Sequence, residues 1–152
     1  MSKTKSEFTL RAFWFVRGLN IIRKDEKNVV DLPALRRLIR PYRRRQSFAL
    51  YLDRDDFETG GVWAHFMRDR AWLAHFDFPG GTDSYARDPT INASDDERIG
   101  FRLNNGQVDQ IHPSWTVTRN EGIKALEYFL VHGEQDPSLQ WVSQPGDLEK
   151  SE

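Results

Sequence analysis

Apolar residues in the C-terminal third of the chain recur at the spacing of an amphipathic helix. The positions that share this spacing are Ile123, Leu126, Phe129 and Leu130. Thr118 and Glu121 precede these positions and have the spacing of a capping box. In a capping box, each side chain accepts a hydrogen bond from the other residue's backbone N–H. Gly133 can adopt the left-handed conformation that ends many helices. The pattern therefore predicts a helix over about residues 119–132.

A second helix is predicted over about residues 31–44. Asp31 is a favourable N-cap, and Pro33 falls in the first turn, where a backbone N–H has no helical partner. The apolar face of this helix comprises Leu35, Leu38, Ile39 and Tyr42. Pro41 is expected to kink or end it, because proline cannot donate the backbone hydrogen bond of a helix interior.

The remaining apolar and aromatic residues form short runs that favour strands. These runs are residues 8–16, 47–52, 61–67, 71–78, 98–103 and 107–111, with a last strand around Leu139 and Trp141. The sequence Asn104-Asn105-Gly106 predicts a hairpin with a type I′ turn between the two runs beside it. Residues 23–28 are expected to form a charged loop, and residues 79–97 a long loop.

This order of elements predicts an α+β fold. Hairpin links outnumber crossovers, so we expect a mainly antiparallel sheet of about six to seven strands with two helices on one face. A chain of 152 residues is long enough for one domain with one core. We expect a flexible leader at residues 1–7, a single domain at residues 8–143 and a disordered tail at residues 144–152.

The amino-acid composition indicates the cellular compartment and excludes some kinds of site. The chain has no cysteine, which excludes disulfides and thiolate metal sites and fits a reducing cytoplasm. No apolar run approaches the length of a membrane span, and the N-terminus lacks the apolar core of a signal peptide. We therefore expect a cytoplasmic protein without a membrane partner.

Charge is distributed unevenly along the chain. Residues 1–50 hold 13 Lys and Arg against 4 Asp and Glu, whereas residues 51–152 hold 9 against 19. The two parts carry net charges of +9 and −10. Such asymmetry either marks a macromolecular partner or arises because the two parts face each other in the fold.

Six arginines fall within ten residues: Arg36, Arg37, Arg40, Arg43, Arg44 and Arg45. An arginine-rich helix can neutralise phosphates, so a nucleic-acid-binding or regulatory module is one alternative function. The overall charge of −1 argues against nucleic acid as the partner, because domains that bind it usually carry a basic surplus. The cluster can instead face the acidic part of the chain.

No set of residues has the spacing of a catalytic or metal site. The four histidines, His65, His75, His112 and His132, show no zinc-ligand spacing and are interpreted as structural. The carboxylates of residues 53–58 do not complete a calcium loop and are interpreted as solvated loop charge. We expect no enzymatic activity, no metal and no cofactor; a small hydrolase or metal enzyme is a third alternative.

Two sequence features carry a family resemblance. The first is the pair of runs Gly61-Val-Trp-Ala-His-Phe-Met and Ala71-Trp-Leu-Ala-His-Phe-Asp, and the second is the ending Phe-Leu-x-x-Gly-Glu-x-x-Pro-x-x-x-Trp. The motif residues of this ending are Phe129, Gly133, Glu134, Pro137 and Trp141. Over about residues 47–141 the chain resembles the Imm1 family of immunity proteins from bacterial polymorphic toxin systems. It departs from that family in an extra residue before the proline and in its arginine-rich N-terminal part.

The resemblance implies that the protein binds a cognate toxin domain and blocks it, in many cases a nucleic-acid deaminase. An acidic surface can occupy the basic substrate groove of such a toxin, and exposed aromatic side chains can anchor the contact. The candidate partner-binding residues are Asp83, Tyr85, Asp88, Asp95, Asp96, Glu97 and Trp115. The motif residues are expected to be structural, and the protein is expected to be a monomer before the complex forms.

Overall fold

The computed structural model describes residues 8–18, 21–55, 60–76 and 83–143. The leader predicted at residues 1–7 and the tail predicted at residues 144–152 lie outside these ranges. The strands are β1 (Phe8–Val16), β2 (Ile21–Val29), β3 (Ser47–Arg54), β4 (Gly61–Met67), β5 (Arg70–Phe76), β6 (Asp83–Arg87), β7 (Ile99–Arg102), β8 (Val108–Ile111), β9 (Val117–Thr118) and β10 (Gln140–Ser143). The helices are α1 (Leu32–Ile39) and α2 (Arg119–His132), with 3-10 helices at Arg40–Arg44 and Pro113–Trp115.

One antiparallel sheet dominates the described part of the chain. Its strands follow the order β10-β6-β5-β4-β3-β1-β2, and the short β9 pairs with β5. Every neighbouring pair along this path is antiparallel. The predicted α+β class, with a mainly antiparallel sheet and two helices, is confirmed. The hairpin of β7 and β8 forms a separate two-stranded sheet, which the sequence pattern does not distinguish from the main one.

Both helices pack on one face of the main sheet, as expected. The core between them includes Leu35 and Ile39 of α1, Leu126 and Phe129 of α2, and Leu50 of β3, each at most 1% exposed. Alternate residues of each strand point to this face, because successive side chains of a strand project to opposite sides. Burial of these apolar side chains is the main stabilising term of the fold.

The β7–β8 hairpin covers part of the opposite face. Phe101 of β7 and Ile111 of β8 form a second core cluster with Trp72 of β5 and Trp115. The rest of this face carries polar and aromatic side chains from β1, β3 and β4. The main sheet therefore lies between a helical layer and a smaller layer that is a hairpin.

Both ends of α2 agree with the prediction. Thr118 Oγ1 accepts a hydrogen bond from the Glu121 backbone N–H at 3.1 Å, and Glu121 Oε1 accepts one from the Thr118 N–H at 2.8 Å. Gly133 ends the helix with φ 71°, in the left-handed region. A Cβ at this position would meet the guanidinium group of Arg54, which a flexible side chain can move away, so the positive φ is what favours glycine here.

The helix predicted over residues 31–44 consists of two segments. Asp31 caps α1 by accepting a hydrogen bond from a first-turn backbone N–H at 2.9 Å. The α-helix stops before Pro41, and Arg40–Arg44 continue as a 3-10 helix. No helix in the described part of the chain is long and apolar enough to cross a membrane.

The charged loop predicted at residues 23–28 is wrong, because these residues belong to the edge strand β2. Its backbone pairs with β1 from Ile21 opposite Val16 to Val29 opposite Phe8. Most β2 side chains are exposed, so the sequence of β2 does not alternate between apolar and polar residues. Charged side chains on an edge strand also discourage pairing with other chains.

The long loop predicted at residues 79–97 is also wrong in part, because it contains β6. This strand pairs with β5 on one side and β10 on the other. Its two buried side chains are Ser84 and Ala86, which are too small to give a hydrophobic signal. Pairing on both sides therefore sets its conformation.

The hairpin predicted at Asn104-Asn105-Gly106 is confirmed, but its turn type differs. The Leu103 N–H donates to Gln107 O at 2.7 Å, and the Gly106 N–H donates to Leu103 O at 3.0 Å. Gly106 has φ 91°, whereas neither asparagine has a positive φ. The link is therefore a three-residue loop with a glycine bulge, since a type I′ turn needs positive φ at both central residues.

Candidate functional site

The segment of residues 94–98, which we call the acidic loop, presents three predicted partner-binding residues to solvent. Asp95, Asp96 and Glu97 are all exposed. Arg98 Nη1 donates to the backbone oxygens of Asp95 and Glu97 at 2.8 and 2.7 Å, and Ser94 Oγ donates to Asp96 Oδ1 at 2.9 Å. These bonds fix the course of the loop while its carboxylates remain exposed.

A buried histidine ties the acidic loop to the body of the protein. His112 is 6% exposed, and its Nε2 lies 2.9 Å from Ser94 O. Its other ring nitrogen, Nδ1, accepts a hydrogen bond from the Ser114 N–H at 3.2 Å. Because Nδ1 is an acceptor, the ring proton is on Nε2, which donates to the carbonyl oxygen. His112 therefore connects the acidic loop to the 3-10 helix after β8.

Asp88, directly after β6, is engaged within the molecule. Its Oδ1 accepts hydrogen bonds from the Thr90 hydroxyl at 2.6 Å and the Thr90 N–H at 3.0 Å. The hydroxyl bond, with the Thr90 N–H and the nearby Arg70, holds the pKa of Asp88 below its ordinary value although burial opposes this. Arg70 Nη2 lies 3.8 Å from Asp88 Oδ2. Asp88 is therefore charged but already hydrogen-bonded.

Asp83 and Tyr85 belong to β6 and not to a loop, so the loop position expected for Tyr85 is wrong. Their side chains project to the face of the sheet that the helices leave open. Tyr85 is half-buried, with its ring stacked near Trp72 at 6.4 Å between centroids. Burial, and secondarily the charge of Asp83, raises the pKa of the Tyr85 phenol.

Trp115 lies in the core and is only 5% exposed. It packs with Phe101 and Ile111 in the second cluster, and the Arg87 guanidinium lies 5.2 Å from its ring centroid. The expectation that Trp115 is an exposed anchor is therefore wrong in this fold. The structure therefore places the predicted partner-binding residues in four places: the exposed acidic loop, one face of β6, the hydrogen-bonded Asp88 after β6 and the core position of Trp115.

Three of the five C-terminal motif residues have structural roles at the end of α2 and in the turn before β10. Phe129 is fully buried, and Gly133 provides the left-handed end of α2. Trp141 Nε1 donates to Asp136 O at 2.9 Å, which closes the turn before β10. The other two motif residues, Glu134 and Pro137, are exposed.

Sequence reasoning missed a polar cluster on the open face of the main sheet. Asp53 Oδ2 accepts a hydrogen bond from Arg11 Nη2 at 2.8 Å, and its Oδ1 accepts one from Trp63 Nε1 at 2.9 Å. The ring of Trp63 stacks on Tyr51 at 4.1 Å between centroids and 1° between planes. The interpretation of Asp53 as solvated loop charge is wrong, because Asp53 is 9% exposed within β3. Its ion pair with Arg11 offsets the cost of burying the carboxylate.

Tyr51 and His65 form a buried pair beside this cluster. The Tyr51 hydroxyl lies 2.7 Å from His65 Nε2. Burial lowers the pKa of His65 to about 4 and raises that of Tyr51 to about 12. A hydrogen bond between His65 and the backbone of Trp72 opposes the first effect but does not cancel it. Both groups are neutral near pH 7, and at 6% and 1% exposure they form a core contact with little access for a substrate.

The histidines do not converge. His65 and His75 occupy opposite faces of the sheet, because His65 is paired with Trp72 and His75 with Val62 in the β4–β5 register. His132 is exposed and stacks on Tyr128 at the end of α2. Within the described ranges, no group of three or more His, Asp or Glu residues is placed to hold a metal ion.

The arginine cluster lies on the surface, and only part of it is engaged with the acidic half of the chain. Arg36 donates from Nε and Nη2 to the Glu127 carboxylate at 3.1 and 3.3 Å, and the bond and charge of Glu127 raise the pKa of Arg36. Arg37, Arg40 and Arg44 are exposed. The arginines do not lie on one continuous α-helix, because residues 40–44 form a 3-10 helix.

The described surface therefore offers an acidic loop and exposed arginines, whereas Tyr51, His65 and Asp53 are buried and hydrogen-bonded within the molecule. This arrangement is suited to binding a charged macromolecule through preformed surface groups. No protein-family model matches the chain, and no curated protein matches it.

Proposed function

We propose that the protein is an immunity protein that binds a cognate bacterial toxin domain in the cytoplasm and occludes its active site. The observation that carries this proposal is the acidic loop, which presents Asp95, Asp96 and Glu97 in a conformation fixed by hydrogen bonds. A preformed loop loses little conformational entropy on binding. The resemblance to the Imm1 family supports the same function.

Charge complementarity indicates the class of toxin. Three adjacent carboxylates can occupy a groove that normally binds phosphates, as in a nucleic-acid deaminase or another toxin that acts on nucleic acid. The same charges accelerate the encounter with a basic partner. Occlusion of the substrate groove requires no catalysis by the immunity protein.

If the protein is an immunity protein, we expect a toxin domain to be encoded directly upstream of its gene, and co-expression with that domain tests the proposal. We expect the protein to restore growth of cells that express this toxin, and a pull-down to recover the complex from the same cells. A double variant, Asp95→Asn with Glu97→Gln, should restore growth less well than the wild-type protein, because it removes two charges without shortening the loop. Absence of both rescue and complex would contradict the proposal.

A nucleic-acid-binding module is a second candidate. The specific observation in its favour is that Arg37, Arg40 and Arg44, which lie close together in the sequence, are all exposed. Retention on DNA that falls steeply with salt, and that is lost when these arginines are replaced, distinguishes this candidate from toxin binding.

A further inference from the structure

A row of paired residues crosses the open face of the main sheet. In the strand register Trp63 of β4 lies opposite Ala74 of β5, and Ala74 lies opposite Tyr85 of β6. Directly paired residues project to the same face, so the small side chain of Ala74 stands between two large rings. Neighbouring strands are about 4.8 Å apart, which separates the backbones of β4 and β6 by about 10 Å. This arrangement leaves a space above Ala74, which we call the aromatic notch.

Two further rings close the ends of the aromatic notch. Phe76, two residues after Ala74 in β5, contacts the ring of Trp63 at 4.8 Å between centroids and 66° between planes. Trp72, two residues before Ala74, stacks near Tyr85 at 6.4 Å between centroids. Residues two apart in a strand share a face, so all four rings border the same space. Trp63, Phe76 and Tyr85 are half-buried, and part of each ring is therefore accessible to a partner.

The ring of Trp63 is fixed by contacts on the other side of β4. One face of this ring stacks on Tyr51 of β3 at 4.1 Å between centroids, and Nε1 donates to Asp53 Oδ1 at 2.9 Å. Because β3 and β5 flank β4 on opposite sides, the second face of the Trp63 ring lies on the side of Ala74. A side chain that enters the notch therefore meets a preorganised ring.

The aromatic rings of this face already contact a guanidinium group. Arg11 Cζ lies 5.5 Å from the ring centroid of Tyr51 and 5.7 Å from that of Trp63. The negative face of an aromatic ring attracts a cation, and a planar guanidinium group can stack on it. The same ring faces repel an anion. The chemistry of the notch therefore favours a guanidinium group as its occupant.

We propose that the aromatic notch receives an arginine side chain of the toxin domain. This inference rests on the proposed function, because it names a second contact in the same complex. The substrate groove proposed for the toxin is basic, and arginine is one of the residues that contribute most to the affinity of protein interfaces. The notch supplies an aromatic contact to this arginine, whereas the acidic loop supplies charge.

Calorimetric titration of the full chain with its cognate toxin domain tests this contact. Tyr85→Leu removes one ring of the notch but keeps an apolar side chain, and we expect it to weaken binding about tenfold or more. Tyr85→Phe keeps the ring and should change the affinity less than about twofold. The matched control is Tyr128→Leu, which makes the same change at a half-buried position of α2 and should also have less than about a twofold effect.

A double-mutant cycle identifies the arginine. Each arginine of the toxin domain is replaced by methionine and titrated against the wild-type protein and against Tyr85→Leu. We expect one replacement to weaken binding about tenfold to the wild-type protein but less than about twofold to Tyr85→Leu. If Tyr85→Leu does not fold, Ala74→Val takes its place in both experiments, because it fills the floor of the notch with a residue that favours strands.

Three results would each overturn the proposal while leaving toxin binding intact. These are equal affinities of Tyr85→Leu and Tyr85→Phe, an equal loss in Tyr128→Leu and Tyr85→Leu, and a cycle in which no arginine of the toxin domain couples to the notch. Absence of any complex with the wild-type protein contradicts both this inference and the proposed function.

Discussion

Two buried ionisable residues of this protein have hydrogen-bond partners of different kinds. Asp53 and His65 are 9% and 6% exposed. Asp53 receives hydrogen bonds from Arg11 and Trp63. The hydrogen-bond partners of His65, the Tyr51 hydroxyl and the Trp72 backbone, are neutral, so burial lowers the pKa of His65 to about 4. A histidine that is buried among neutral partners is therefore neutral near pH 7.

The lowered pKa of His65 makes stability depend on pH. In the unfolded chain the imidazole has a pKa of about 6.5, so between about pH 6.5 and pH 4 the unfolded state binds more protons than the folded one. The stabilisation is therefore present above pH 6.5 and is lost as the pH falls towards 4. We expect urea unfolding to show a loss of about 2 kcal/mol between pH 7 and pH 4.5 that His65→Gln abolishes.

The control for this measurement is His132→Gln, which replaces an exposed histidine at the end of α2. This variant should keep the pH dependence of the wild-type protein. An equal slope in His65→Gln and in the wild-type protein would show that other groups cause the loss.

At the scale of elements, one arginine joins the start of α2 to segments that are distant in sequence. Arg119 Nη1 donates to Arg68 O at 2.6 Å, and its Nη2 donates to Arg43 O at 2.8 Å and Arg45 O at 2.6 Å. Burial, and secondarily the charge of Arg43, lowers the pKa of Arg119. The contacts fix α2 against the end of the 3-10 helix and the β4–β5 turn.

Arg119→Ala should therefore destabilise the protein more than a change in helix propensity does. We expect a loss of about 2 kcal/mol in the free energy of unfolding, because three backbone carbonyls lose a charged donor. Arg119→Lys should recover only part of this, since one ammonium group cannot reproduce the planar fork. Lys124→Ala, an exposed change in the same helix, is the control; an equal effect of the two alanine variants would refute the role of Arg119.

Elements with strong local signals are predictable from the sequence. The cap residues Thr118 and Gly133 fix α2, and the aromatic runs fix β4 and β5. β2 and β6 could not be predicted, because their strand conformation depends on pairing with neighbouring strands and not on an alternation of apolar residues. The Asp53 cluster could not be predicted either, because it depends on the β3–β4 register. This register pairs Tyr51 with Trp63 and is not visible in the sequence of either strand alone.

At the scale of the whole molecule, the basic edge and the acidic loop lie at different positions along the sheet. β2 and α1, from the basic part of the chain, lie at one edge, and β6, which leads into the acidic loop, is separated from β2 by four strands. The two parts are nevertheless in extensive contact, because β1 pairs with β3 and the ion pairs Arg11–Asp53 and Arg36–Glu127 join them. The fold therefore balances part of the uneven charge internally, whereas the acidic loop and the exposed arginines of residues 36–45 remain at the surface.

The affinity of the protein for its cognate toxin domain, measured by calorimetry at low and high salt, tests the central claim most directly. The variant is Asp95→Asn with Glu97→Gln in the acidic loop, and the matched control is Asp25→Asn with Glu26→Gln on the β2 edge. We predict that the loop variant weakens binding about tenfold or more and reduces the salt dependence, whereas the control changes affinity less than about twofold. Equal affinities for the loop variant and the wild-type protein would contradict the role of the acidic loop.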